Sequence, residues 1–172
     1  YYKIKFKSRV YTPLNNSEKY TLVLMGRADF GLLGSYNKYK QTPFETFHVG
    51  GDGMTGSYTY ATETIGLRGY DNGALTPYSD GRAYTRFSME LHFPFLLQPS
   101  STIYGLAFVE GGNAWTSLEN FNPFSLKRSA GVGVRIFLPM IGLMGIDWAY
   151  GFDKVQGEKG GGHFHFILGQ EF

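Results

Sequence analysis

The chain has 172 residues, a formal charge of +2 and no cysteine. That is long enough for one domain with its own core, it excludes disulfides and thiolate metal sites, and no run of Lys or Arg could neutralise a row of phosphates, so nucleic acid is not an expected partner. Aromatic residues match charged ones at 17% each, with 24 Gly, 13 Tyr and 15 Phe, a balance suited to twisted strands and tight turns rather than helices.

Tyr1 opens directly in alternating sequence with no leader-like segment, so the native N-terminus is expected upstream. Residues 2–12 set Tyr2, Ile4, Phe6 and Val10 against Lys3, Lys5, Lys7 and Arg9, the period of two that defines a strand with one greasy and one charged face. Turn chemistry in Pro13–Ser17 leads to a second alternation, Leu22, Leu24, Ala28 and Phe30 against Thr21, Arg27 and Asp29, which completes a hairpin. Residues 37–81 break the pattern with Pro43, Pro77, clustered glycines and Asp71-Asn72-Gly73, and are expected to form one long irregular loop. Connections beyond roughly 15 residues are usually functional or disordered, so this one is a candidate for function.

The strands then resume. Phe87, Met89, Leu91 and Phe93 alternate with Arg86, Ser88, Glu90 and His92 until Pro94 and Pro99 are expected to end the ladder. Residues 102–116 form a fourth strand in which large residues share parity with Glu110, so its faces are less cleanly separated. Residues 126–138 and 142–153 alternate well, with Val132, Val134 and Ile136 against Gly131, Gly133 and Arg135, then Ile146, Trp148 and Tyr150 against Gly145, Asp147 and Gly151. The last strand carries Phe164, Phe166, Leu168 and Phe172 opposite His163, His165, Gly169 and Glu171. Seven strands and no helix are expected.

Alternation alone does not separate a soluble sandwich from a membrane barrel. Strand lengths near the 9 to 11 residues of a tilted membrane strand favour the barrel. So do ionisable residues deep within the polar faces (Lys5, Arg27, Asp29, Glu90, Arg135, Asp147), which suit a wet lumen, and aromatics near strand ends such as Trp115, Trp148, Tyr150 and Phe152. A mean hydropathy of −0.21 does not oppose this, because only every second residue meets lipid.

The segment Ile65–Gly73, IGLRGYDNG, resembles the (V/I/L)-R-G-(F/Y) motif in the sixth extracellular loop of BamA-like proteins, carried here by Leu67, Arg68, Gly69 and Tyr70. PFETFHVGG at 43–51, FSMELHFPF at 87–95, AFVEGGNAW at 107–115 and the stretch 128–152 are similar to the family in the same order, whereas residues 52–64 lengthen the approach to the motif. The resemblance implies an all-β fold, an antiparallel transmembrane β-barrel of which this chain is the C-terminal seven strands of sixteen. It also implies a place in the bacterial outer membrane, among outer-membrane lipid, with periplasmic POTRA domains before Tyr1. The implied role is assembly and insertion of client outer-membrane proteins, with accessory lipoproteins as partners. A related secretion or translocation barrel and a passive porin are the alternatives.

On the same resemblance, Glu90 and Glu110 occupy the positions that hold the motif arginine, and Phe164, Phe166, Leu168, Gly169 and Phe172 form the terminal β-signal of a strand over 163–172. An arginine on a long loop is otherwise a solvated surface residue. A guanidinium can bridge two carboxylates through its planar fork where Lys could not, and Gly69 permits a sharp turn; the resemblance also implies that the last strand pairs poorly with the first and opens a lateral gate, a looseness Gly160–Gly162 would favour. No enzyme activity, cofactor or metal is expected. Ser88, His92, His163 and His165 fall in no nucleophile motif, two histidines do not close a metal site, and GEKGGG lacks the Ser/Thr and helix of a phosphate loop.

Overall fold

The structure is a computed structural model, and it describes residues 2–14, 22–36, 46–50, 62–70, 75, 81–98, 101–116, 122, 124–153 and 161–168. Seven long strands form one antiparallel sheet: β1 (Tyr2–Pro13), β2 (Val23–Gly34), β5 (Ala83–Gln98), β6 (Ser101–Trp115), β7 (Lys127–Leu138), β8 (Gly142–Gly151) and β9 (Gly161–Leu168). They lie side by side in chain order, a meander in which each strand pairs with its neighbour in sequence apart from β2, which pairs with β5 across the long connection. The described residues include no helix. Two of the connections are short, from Gln98 to Ser101 and from Leu138 to Gly142.

The two faces invert the distribution of a soluble protein. Val109, Ile146, Phe164 and Phe166 on one face are 59%, 56%, 79% and 55% exposed, while Asp29, Arg68 and Asp147 on the other are 0% exposed. Water does not tolerate the first arrangement on this scale, for the outer face would be a large apolar patch, and the second requires that the buried charges find partners within the protein. A lipid solvent outside and a filled inner side reconcile the two. On the outer face Phe6, Phe30 and Phe87 step across β1, β2 and β5 with ring centroids 6.1 and 5.3 Å apart, cross-strand aromatic pairs of the kind that pin register.

Two expectations are corrected. The 37–81 connection is not wholly irregular, for it contains two four-residue strands, β3 (Thr46–Val49) and β4 (Thr62–Ile65), paired in parallel. Phe47, Val49, Ile65, Leu67 and Tyr70 from this segment pack on Leu33 of β2 and Tyr84 of β5, so an apolar cluster gives the loop a core of its own. Pro94 does not end β5; the ladder to β6 shifts register between Pro94 and Leu96 and runs on to Gln98, a bulge that absorbs the missing N–H. Gly161 and Gly162 pair with Gly151 and Tyr150 of β8, and a side chain at Gly162 would strike the Trp148 ring.

Candidate functional site

The inner face gathers its charges at one level of the sheet. Register places Ser88 of β5 opposite Glu110 of β6, Glu110 opposite Ser129 of β7, and Asp147 of β8 opposite His165 of β9. All five side chains point inward, and into their midst the loop delivers Leu67-Arg68-Gly69-Tyr70. Each residue of the motif has a distinct seat.

Arg68 is fully buried. Its Nε donates to Glu110 Oε1 at 2.9 Å and its backbone N–H donates to Glu110 Oε2 at 2.9 Å, so one carboxylate holds both the side chain and the main chain. Nη2 bridges Glu90 and Glu110, and Nη1 donates to Asp147 Oδ2 at 3.0 Å. Ser88 Oγ donates to Glu110 at 3.0 Å and Ser129 Oγ donates to the Arg68 carbonyl at 2.6 Å. The guanidinium carbon lies 3.6 Å from the centroid of the Phe108 ring, a cation–π contact that covers one side of the group without needing water. Three strand gaps separate Glu90 from Asp147, about 14 Å in a flat sheet, and one planar fork spans both because the side chains lean toward a common point.

Gly69 adopts a φ of +92°, where an L side chain is strained, and a Cβ there would lie 2.6 Å from the Ser129 Cβ. Its N–H donates to His165 Nε2 at 2.9 Å. Tyr70 is buried, and its hydroxyl donates to the Arg128 carbonyl at 2.7 Å. Leu67 closes the apolar cluster above.

A second cluster flanks the first. Arg86 of β5 binds Asp29 of β2, with Nε donating at 3.0 Å, and its Nη1 donates to the Gly66 carbonyl at 2.6 Å. Arg27 Nε adds a donor to Asp29 at 2.8 Å. A fourth cation, Arg135 of β7, binds Asp147 with Nη2 donating at 2.8 Å. Counting buried groups, Arg68, Arg86 and Arg135 face Asp29, Glu90, Glu110 and Asp147, so the region is close to neutral despite being dense in charge. Around Arg68 these groups pack directly against one another.

The structure therefore brings Arg68 together with Glu90 and Glu110. Phe164, Phe166 and Leu168 lie on the outer face of β9, while Gly169 and Phe172 lie outside the described residues. Sequence reasoning passed over Asp147, His165, Ser129 and Phe108 as parts of the seat. Phe108 explains the mixed parity of the fourth strand: it faces inward with Glu110 because it is the platform for the guanidinium. Gly133 of β7 was the available signal for Asp147, since a side chain there would strike the Asp147 carboxylate.

The family model for the Omp85 superfamily domain matches residues 1–172. Among solved structures, the crystal structure of BamA from Haemophilus ducreyi lacking POTRA domains 1-3 superposes with a TM-score of 0.61 at 20% identity, covering 95% of this chain. The chain spans 34% of that chain, so the seven-stranded sheet corresponds to part of a barrel wall.

Proposed function

Because the chain belongs to the Omp85 superfamily, we propose that it is the C-terminal barrel portion of an outer-membrane assembly factor that folds and inserts other outer-membrane barrels. The observation that carries this is the seat of Arg68: a loop is held inside the wall by groups drawn from β5, β6, β7, β8 and β9, an investment in buried charge that a passive conduit does not need. A porin also requires a clear lumen, and here the loop occupies the inner face.

No covalent step is assigned. The work is templating: β9 pairs with β8, and its other backbone edge is where an incoming strand can add by main-chain hydrogen bonds. Periplasmic POTRA domains, accessory lipoproteins and surrounding outer-membrane lipid are the partners this role calls for. Secretion barrels of the same superfamily would pass an unfolded chain instead of releasing a folded barrel.

The test uses the full-length protein in lipid vesicles with an unfolded client barrel and, separately, a secreted chain. Wild type should insert the barrel and leave the secreted chain outside, and Arg68→Ala should lower insertion by about tenfold or more, as loss of one partner from a desolvated cluster implies. Transport of the secreted chain, or unchanged insertion by Arg68→Ala, would overturn the proposal.

A further inference from the structure

The bond between Gly69 and His165 differs in kind from the rest of the seat. Glu90, Glu110, Ser129 and Asp147 hold the loop to β5 through β8, in the interior of the sheet, using carboxylates and a hydroxyl. His165 holds it to β9, the outermost strand, through a ring nitrogen 2.9 Å from a backbone amide 96 residues away. An amide N–H only donates, so Nε2 must present its lone pair, and the proton of the neutral ring sits on Nδ1. We infer that His165 is a positioning residue that fastens the docked loop to the last strand, and that it does so only as a neutral imidazole.

The surroundings explain why a second proton breaks the link. His165 is 6% exposed. A protonated Nε2 would set an N–H against the Gly69 N–H, beside the Arg68 guanidinium. Asp147 stands opposite on β8 and is the nearest acid in register, but it already accepts from Arg68 and from Arg135 of β7. Glu110 of β6 and Glu90 of β5 are likewise engaged by Arg68, and His163 on β9 itself stacks with its ring centroid 6.3 Å away. Protonation thus separates β9 from the loop while the carboxylates on β5, β6 and β8 keep Arg68 seated. The last strand can part from the loop without the loop leaving the barrel. That this parting serves client insertion rests on the assembly role proposed above; the link itself rests on the geometry.

The experiment reads backbone hydrogen exchange at Gly69 and along β9 in the full-length protein in lipid vesicles. It compares about pH 8 with about pH 5, the span over which an imidazole changes charge, with each rate corrected for intrinsic exchange. In wild type, protection of Gly69 should fall by about tenfold or more on acidification, with the β5–β9 ladders unchanged, as a local opening requires. His165→Phe keeps a ring but no acceptor and should be unprotected at both values. His165→Gln places Oε1 as many bonds from Cβ as Nε2 and cannot be protonated in this range, so it should be protected at both. If the Phe variant fails to fold, wild type against Gln decides. A Gln variant that keeps the acid-induced loss, or a wild type that shows none, overturns the inference. Client insertion measured in parallel separates the two ideas, because exchange that behaves as stated alongside absent insertion sinks the assembly role and leaves the link standing.

Discussion

The two faces of this sheet solve opposite problems with the same period-two sequence. The outer face leaves Val, Ile, Phe and Trp uncovered by protein, and any apolar residue of suitable size serves there because acyl chains adapt to its shape. The inner face buries arginines and carboxylates whose positions must match to within a hydrogen bond, since each unpaired charge would be left in a dry site. The outer wall is therefore specified by composition and the inner seat by geometry. A conservative change should be silent on one side and costly on the other.

The largest expected effect breaks the inner side. Arg68→Ala leaves Glu90, Glu110 and Asp147 without their shared cation and should destabilise the barrel by about 3 to 5 kcal/mol, read as a lower denaturation midpoint or loss of the heat-modifiable gel shift of the full-length protein. Arg68→Lys should recover only part of this, because an ammonium cannot meet carboxylates arrayed around a planar fork. Next, Ile146→Arg puts a charge on the lipid face of β8 and should cost about 2 to 4 kcal/mol if that position lies near the bilayer midplane; a cost near zero would mean that this face does not meet lipid. Ile146→Val should be almost silent.

Gly69→Ala tests the geometric demand at its sharpest point. The left-handed φ and the approach of Ser129 predict a loss of about 1 to 3 kcal/mol, visible in the same denaturation experiment. The smallest effect belongs to the rim. Hydrogen bonds from Arg128 hold the Asp153 carboxyl below its ordinary value, yet the arginine side chain is 68% exposed. A depressed carboxylate contributes stability at neutral pH that is lost only as pH falls below about 4, so Asp153→Asn should lower the midpoint at neutral pH only slightly, because the pair is exposed, and flatten its decline in acid.

The same contrast explains what could be read from the amino-acid order. Alternation at Tyr2–Val10 or Ala130–Leu138 assigns a face to each residue, and the long strands follow from that. Alternation does not assign height. Whether Asp147 meets Arg68 depends on the stagger accumulated over the ladders between β5 and β8, which no local pattern encodes across 79 residues. His165 was legible as an inward polar residue and illegible as an acceptor for Gly69 for the same reason. The motif arginine was recognisable because a family resemblance carried long-range information that periodicity lacks. The short strands β3 and β4 escaped notice because four residues are too few to establish a period among glycines and prolines.

One consequence of the Arg68 seat concerns mechanics. A guanidinium has fixed dimensions, and here it is bonded at once to Glu90 on β5 and Asp147 on β8. The wall between those strands cannot widen along its circumference without tearing that group from one side, so this arc behaves as a hoop of set girth. Strain applied to this wall must then be taken up outside the arc, at the margins of the sheet, where an imidazole of β9 rather than a carboxylate meets the docked loop.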